Sequence, residues 1–288
     1  MSTKQTKNEL NHDVDMFKKY FNLLSELTRK NVKLKYRNSW LGVFWSFLEP
    51  LLNMIVLSAV FGGMFGKHSE YITCYPVYLF TGRLIFDFFT TSTKQSMVSF
   101  RRNSAIIKKV YVPKYMYPLS SVFSTFVNFA ISILCYICVW IFFKATGISG
   151  GAGLTITWRV LFFFVPMILV LVFSTGVGLI LSVLEVYFRD IEYIWNVASR
   201  LIMYLLPIIY PLKKLEERNK YLPLIVKADP LYSMIELFRQ SILYGNDVVF
   251  KGLFSWELLL YATVTAFGTL IVGIIIFNWK SDDLVYHL

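Results

Sequence analysis

The sequence has little charge and almost no histidine. Only 16% of its 288 residues are charged, and its three histidines, His12, His68 and His287, all lie outside the long apolar runs. An intramembrane metal or acid–base site would need such side chains inside those runs. The composition therefore gives no support to metal-dependent or acid–base catalysis there.

Signals for phosphate binding and for cleavage of a leader are also missing. The nearest match to a phosphate-binding loop, GGMFGKH at residues 62–68, has three residues instead of four between Gly62 and Gly66, and His68 where Ser or Thr is required. The two glycines instead have the spacing of a helix-packing pair. Residues 1–12 are polar, and no short apolar core of a signal peptide follows them. We expect neither an ATP site nor a cleaved leader.

Cysteine is scarce and carries little information. Cys135 and Cys138 have the spacing of a redox motif, but they lie inside an apolar run, where thiols usually pack as small side chains.

Apolar residues are abundant instead. Hydrophobic side chains make up 56% of the chain, aromatic ones 18%, and the mean hydropathy is +0.54, well above the range of soluble domains. A helix that crosses a bilayer needs about 20 mostly apolar residues, whereas the strands of a barrel would alternate over about ten. The sequence predicts an all-α membrane protein with six transmembrane helices, at about 44–66, 75–96, 119–143, 160–184, 191–211 and 258–279.

Basic residues indicate the orientation of these helices. Nine of the 29 Lys and Arg lie in residues 1–37, and another five lie in the loop 97–118 between the second and third helices. The positive-inside rule places both segments, and hence the C-terminus, in the cytoplasm. The predicted external segment 212–255 is also basic, but acidic residues accompany its basic ones. The net charge of +11 indicates contact with anionic lipid and gives little support to binding of nucleic acid.

Two segments outside the spans have helical periodicity. Residues 1–40 form a cytoplasmic N-terminus in which Val14, Phe17, Phe21 and Leu24 recur at helical spacing among basic residues, which predicts an amphipathic interfacial helix. The remaining chain, 41–288, forms the transmembrane domain. In its external part, 212–255, an apolar stripe predicts a short re-entrant helix that packs back against the bundle; the stripe consists of Leu231, Ile235, Phe238 and Ile242.

Charges inside or between apolar runs are candidate functional residues. Arg83 and Asp87 have the spacing of an ion pair on one helix face, so a structural role is open beside a functional one. Arg200 has no acidic neighbour at helical spacing and is a candidate for a polar pathway. The stretch SVLEVYFRDIEYIWNV, residues 182–197, concentrates charge in a short turn at 185–190 and just after it, between two apolar runs.

Three of these stretches resemble one family. YRNSWLGVFWSFLEPLL at 36–52 resembles the start of the first transmembrane helix in permease subunits of ABC-2 polysaccharide exporters, the group that exports teichoic acids, O-antigens and capsules. YFRDIEYIW resembles the cytoplasmic segment between their fourth and fifth helices. ADPLYSMIELFRQSILYG resembles their external re-entrant region.

The resemblance implies partners and a reaction cycle. Permeases of this family form a homodimer that binds two copies of a separate cytoplasmic ATPase, which holds the ATP and magnesium; no cofactor is expected on this chain. The expected substrate is a lipid-linked glycan or polyol-phosphate polymer on a polyprenyl diphosphate, exported across the cytoplasmic membrane of a bacterium. The resemblance does not identify the polymer.

The resemblance also assigns expected roles to residues. Contacts with the ATPase are expected from the loop 97–118 and from the charged turn, at Arg101, Arg102, Ile106, Ile107, Lys108, Lys109, Glu185, Arg189, Asp190 and Glu192. In the family the first and fifth helices line the polymer channel. The corresponding residues here are Phe44, Trp45, Phe47, Phe61, Phe65, Tyr193, Trp195, Arg200, Tyr204 and Tyr210.

Two other functions stay open at this point. An ABC-2 exporter of drugs or lipids would share the helical bundle without needing an aromatic path. An intramembrane transferase that acts on lipid-linked sugars would need an acid–base pair in or near the spans, and the sequence suggests none.

Overall fold

The structure is a helical bundle. The computed structural model describes residues 20–37, 40, 42–63, 72–109, 112–155, 157–218, 221–243 and 254–280, and the regular elements within them are helices. Short 3-10 turns lie at Gly42–Phe44, Ile148–Gly153 and Trp158–Phe162. In chain order the helices are α1 (20–36), α2 (Trp45–Phe61), α3 (Tyr75–Met97), α4 (Ser99–Ile107), α5 (Met116–Thr146), α6 (Phe164–Tyr187), α7 (Ile191–Leu205), α8 (Leu212–Arg218), α9 (Leu222–Lys227), α10 (Pro230–Ile242) and α11 (Trp256–Lys280).

Three segments are long and apolar enough to cross a membrane: Met116–Thr146, Trp158–Tyr187 and Trp256–Lys280. They coincide with the third, fourth and sixth predicted spans, and they indicate an integral membrane protein. The other three predicted spans correspond to α2 with 17 residues, α3 with 23 residues that include charged ones, and α7 with 15. The count of six spans therefore stays a prediction.

Helix α3 is the centre of the bundle. It packs against α5 and α6 and also contacts α2, α7 and α10, so most of its residues are buried. Several of its buried hydroxyls bond within the helix: Thr81 donates to the carbonyl of Tyr78 at 2.6 Å, and Thr93 donates to that of Phe89 at 2.7 Å. This internal bonding lets a polar helix lie inside an apolar core.

The fifth predicted span is shorter than expected. Helix α7 ends at Leu205, and residues 206–211 leave the helix in an irregular segment that contains Pro207 and Pro211. A proline disfavours helical geometry at the residue before it, so Leu206 takes an extended conformation with φ −71° and ψ 142°. The chain then turns into the short helices α8 and α9.

The predicted apolar stripe of the external segment is confirmed as a helix packed into the bundle. Helix α10 begins at the N-cap Asp229, whose carboxylate accepts a hydrogen bond from the backbone N–H of Leu231 at 2.9 Å. Ile235 and Phe238 are fully buried, and α10 contacts α3, α6 and α11. Whether α10 re-enters the membrane stays a prediction.

The N-terminal helix α1 is held against the first half of α5 by side-chain hydrogen bonds. Asn31 donates to Ser120 at 3.3 Å, and Tyr36 donates to Asn128 at 2.8 Å, both on α5. Tyr36 also bonds to Ser46 of α2. The YRNSW stretch thus joins three helices at Tyr36; the predicted amphipathic residues before position 20 lie outside the described residues.

Helices α6 and α11 approach each other at glycines. A methyl group added to Gly273 would lie 2.6 Å from the carbonyl oxygen of Gly176, closer than any side chain can sit. One added to Gly176 would lie 2.6 Å from the backbone nitrogen of Leu270. Because lipid tails are as apolar as the helices, such backbone contact supplies the packing energy between spans.

We predict that Gly273→Ala separates α6 from α11 and lowers the thermal unfolding midpoint of the purified protein. The matched control is Gly268→Ala on the same helix, where an added methyl meets nothing within 4 Å. Alanine is the better helix former by about 1 kcal/mol, so the control should be neutral or slightly stabilising. Equal midpoints for the two variants would contradict a close-packed α6–α11 interface.

Candidate functional site

A cluster of three charges joins α4, α6 and α7 where α6 ends and α7 begins. Arg101 of α4 donates from Nη2 to Oε2 of Glu192 at 2.6 Å, and its Nη1 lies 3.0 Å from Oε1 of Glu185, an ion pair without hydrogen-bond geometry. Glu185 is 3% exposed, whereas the side chain of Arg101 is 48% exposed. The hydrogen bond to Glu192 raises the pKa of the Arg101 guanidinium, so Arg101 stays positively charged. A single side chain therefore connects the loop helix α4 to both helices of the charged turn.

The other residues predicted to contact an ATPase lie around this cluster. Helix α6 continues to Tyr187, so Glu185 belongs to its last turn and only residues 188–190 lie between α6 and α7. Arg189 and Asp190 are exposed in that short connection. On α4 and just after it, Arg102, Ile106, Lys108 and Lys109 are exposed, whereas Ile107 packs against an apolar cluster.

Helix α7 presents a continuous exposed face. Every residue of α7 is at least partly exposed, and its most exposed side chains recur at helical spacing. This face is formed by Tyr193, Ile194, Val197, Arg200, Leu201 and Tyr204. A face that mixes two tyrosines and an arginine with aliphatic residues suits neither lipid alone nor water alone.

The remaining predicted channel residues are divided between exposed and packed positions. Phe44 and Trp45 are exposed at the start of α2, and Phe47 stacks on Phe44 with the ring centroids 5.9 Å apart. Trp195 lies on the opposite side of α7 from its exposed face, where its indole N–H donates to Thr93 of α3 at 3.2 Å. The structure thus brings Tyr193, Arg200 and Tyr204 together on one face but not Trp195.

Three further channel candidates fall outside that face. Phe61 is partly buried against a small apolar cluster at the end of α2. Tyr210 lies beyond α7, and its hydroxyl donates to the carbonyl of Leu205 at 2.6 Å. Phe65 lies outside the described residues.

The ion pair predicted from spacing on α3 is confirmed. Nε of Arg83 donates to Oδ2 of Asp87 at 2.8 Å, and Nη1 of Arg83 lies 3.0 Å from the sulfur of Met203 on α7. The pair lies between two polar spaces. On one side is a small cavity of about 170 Å³ between α2, α3 and α5, which includes Glu49, Asn53 and Asn128.

On the other side of the pair is an open groove of about 440 Å³ between α3 and α7. Basic side chains dominate its charged lining, and Nζ of Lys94 reaches across it to Oδ1 of Asn196 at 3.0 Å. Of the candidates named from the sequence, only Arg83, Asp87, Arg102 and Arg200 line the groove. Lys94 and Asn196 were missed, because their relation depends on two helices that are distant in sequence.

A buried arginine was also missed. Arg239 of α10 is 1% exposed, donates from Nη2 to the carbonyl of Pro207 at 2.9 Å, and stacks on the ring of Tyr78 at 3.7 Å. The hydroxyls of Tyr75 and Tyr78 donate to the carbonyls of Ile209 and Pro207 at 2.9 and 3.1 Å. Together these side chains donate hydrogen bonds to backbone carbonyls of the irregular segment that follows α7. The only signal in the sequence was a basic residue beside a predicted buried stripe.

Comparison with known proteins identifies the family of this bundle. The model of the ABC-2 type transporter family matches residues 22–243, from α1 to the end of α10. The chain belongs to the ABC-2 type transporter family. The match includes the charge cluster, the α3–α7 groove and the Arg239 segment.

Individual ABC-2 relatives are similar along most of their length. The O-antigen export system permease protein RfbA of Klebsiella pneumoniae is 30% identical over 260 residues, which cover 90% of this chain and 92% of the relative. RfbA of Myxococcus xanthus is 29% identical over 229 residues, 79% of this chain and 82% of the relative. The polysialic acid transport protein KpsM of Escherichia coli is 22% identical over 262 residues, 89% of this chain and 92% of the relative.

In this ABC-2 protein we predict unequal roles for the two partners of Arg101. Arg101→Gln leaves the buried Glu185 without its counter-charge and should lower the free energy of unfolding by about 2 kcal/mol, below the usual cost of breaking a buried pair because Arg101 is half exposed. Glu192→Gln removes only a more exposed pair and should cost less than about 1 kcal/mol. Denaturant or thermal unfolding of the purified variants measures both.

The control for this prediction is Arg189→Gln, in the exposed connection a few residues away. It should leave unfolding unchanged. A cost for Glu192→Gln as large as that for Arg101→Gln would show that Glu185 does not depend on the arginine.

Proposed function

We propose that this chain is the membrane-spanning permease subunit of an ABC transporter that exports a polysaccharide and that it hydrolyses no ATP itself. The family match over residues 22–243 supports a transporter role. Its relatives are named for O-antigen export and polysialic acid transport, and two unrelated polymers among them favour a polysaccharide over a drug or a simple lipid. Teichoic-acid-like polymers fall within the same proposal.

The observation that carries the proposal is the exposed face of α7. Arg200 is exposed on this face, and a charged side chain at membrane depth is costly unless it faces water, another protein or a polar substrate. Tyr193 and Tyr204, 74% and 68% exposed, lie on the same face. Aromatic rings bind the C–H faces of sugars without fixed hydrogen bonds, so successive sugar units can slide past them. The face therefore suits a wall of a polymer conduit.

A conduit with a wall on each side needs a second copy of the chain. Helix α2 also leaves an apolar face uncovered, with Leu52, Ile55, Val56 and Val60 at helical spacing. A homodimer would cover the faces of α2 and α7 and enclose the conduit between two copies. Two copies of a cytoplasmic ATPase, which would hold ATP and magnesium, complete the transporter.

Contact with the ATPase is proposed at α4 and at the connection between α6 and α7. Arg189 and Asp190 are exposed there, and the bridge from Arg101 to Glu185 and Glu192 joins α4 to the two transmembrane helices. A push on α4 would therefore act on α6 and α7 through the bridge. Through this arrangement, movement driven by ATP hydrolysis would reach α7, the proposed wall of the conduit.

The proposed topology has six spans, α2, α3, α5, α6, α7 and α11, in the cytoplasmic membrane of a bacterium. The N-terminus, α4 and the C-terminus lie inside, and α8–α10 lie outside. The basic residues of the N-terminal part and of residues 101–114 support this orientation.

The orientation predicts which introduced cysteines a membrane-impermeant maleimide reaches in intact cells. Leu224→Cys on α9 is exposed and should be labelled, whereas Lys108→Cys after α4 should be labelled only after the membrane is permeabilised. A Cys-free background removes the native thiols. The reverse pattern would overturn the topology and with it both proposed contact sites.

The α7 face predicts how export responds to mutation. In cells that lack their own permease and express the partner ATPase, Tyr193→Ala with Tyr204→Ala should lower the amount of polymer on the cell surface at least several-fold, because two ring surfaces are lost. Tyr193→Phe with Tyr204→Phe should retain most export, since the rings remain. Surface polymer is measured with an impermeant label and normalised to permease content.

The control is Phe267→Ala on α11, an exposed aromatic position outside the α7 face. It should export normally. Normal export by the double alanine variant, or a wild-type transporter that moves no polymer while it moves a drug or a lipid, would refute the proposal.

A further inference from the structure

The groove between α3 and α7 holds more positive than negative charge. Four basic side chains line it, Arg83, Lys94, Arg102 and Arg200, against one lining carboxylate, Asp87. Asp87 is already paired with Arg83. A second carboxylate, Glu192, accepts its hydrogen bond from Arg101 and interacts with Lys94 and Arg102 only at longer range, without an ion pair. Within the described part of the chain, no ion pair therefore neutralises Lys94, Arg102 or Arg200.

These cations form a series along the two helices. Lys94 and Arg102 lie near the cytoplasmic ends of α3 and α4, and Arg83 lies 11 residues before Lys94, which corresponds to roughly 16 Å along a helix. On α7, Asn196 and Arg200 are one turn apart on one face. Because Lys94 bonds to Asn196, its ammonium group and the guanidinium of Arg200 flank the same part of the groove.

An excess of cations without ion-pair partners points to an anionic ligand. A charge left unpaired in or near hydrocarbon is costly, so natural proteins keep such residues where they serve a ligand or a pathway. Arg and Lys are the usual partners of phosphate, Arg through two parallel hydrogen bonds and Lys as a point charge. The groove is open along its side, which leaves room for a hydrocarbon chain attached to the phosphate.

We propose that the α3–α7 groove binds the diphosphate of the lipid carrier on which the exported polymer is built, with Lys94 and Arg200 as its main ligands. This inference rests on the proposed function. Arg102 lies at the cytoplasmic end of the series and attracts the diphosphate. Arg83, which is paired with Asp87, is the last cation of the series and limits how far the diphosphate moves towards the centre of the membrane. The site selects the end of the substrate that carries the charge, while the aromatic face of α7 contacts the sugars.

The test measures binding of farnesyl diphosphate to the purified full-length permease in neutral lipid nanodiscs. We expect saturable binding that weakens at least tenfold in Arg200→Gln and in Lys94→Gln, since each removes a charge-assisted contact. Arg200→Lys keeps the charge and should recover part of the affinity. The matched control is Lys227→Gln on α9, where the lysine pairs with Glu216 far from the groove in sequence and position; its affinity should equal that of the wild type.

Further ligands distinguish the source of the phosphate. Farnesyl monophosphate should bind more weakly than the diphosphate, farnesol should not compete, and inorganic pyrophosphate should compete only weakly because it lacks the chain. Equal competition by nanodiscs rich in phosphatidylglycerol would mean that the groove holds ordinary anionic lipid, and it would overturn the proposal. Unchanged affinity in both glutamine variants would also overturn it.

Export measurements distinguish a failure of the diphosphate-site proposal from a failure of the proposed permease function. If the wild-type transporter exports polymer and Arg200→Gln with Lys94→Gln exports it equally well, the diphosphate site is wrong and the permease function stands. If the wild type exports no polymer although farnesyl diphosphate binds as expected, the proposed function is wrong and the groove remains a diphosphate site.

Discussion

The structure depends on how the backbone is satisfied where α7 ends. Six irregular residues, 206–211, leave the helix, and Leu206, Pro207 and Ile208 are buried in the bundle. Free carbonyls in such a place cost several kcal/mol each unless protein groups bond to them. Arg239 and the hydroxyls of Tyr75 and Tyr78 provide those bonds. Without them the carbonyls of Pro207 and Ile209 would lose these hydrogen bonds.

This constraint fixes the position of α7. The helix has few contacts of its own, mainly with α3 and α6, and exposes an entire face. It is held at its two ends, by Glu192 through Arg101 at the start and by residues 206–211 at the finish. Between those ends α7 has the exposed face that we propose as a wall of the conduit and, beside it, the basic groove. One side of α7 packs on α3 through Trp195, and the opposite side is left uncovered, so that side is available for the substrate contacts proposed above.

Contacts between residues close in sequence were predictable from the sequence, and contacts between residues far apart in sequence were not. The Arg83–Asp87 pair follows from a spacing of four residues, and the buried face of α10 follows from its apolar period. The partner of Glu185 lies on α4, 84 residues earlier in the chain, so no spacing rule reveals it. Arg239 was missed for another reason: its main acceptor is a backbone carbonyl, and a residue pattern does not show which carbonyls are left without partners.

The glycine contact between α6 and α11 has a mechanical consequence. With backbones this close, neither helix can rotate or slide past the other without a clash, so the two form one stiff unit. Any change of shape is then expected where contacts are fewer, at α2 and α7. The stiff pair would serve as a fixed frame, and movement would be confined to the side that carries the exposed tyrosines of α7.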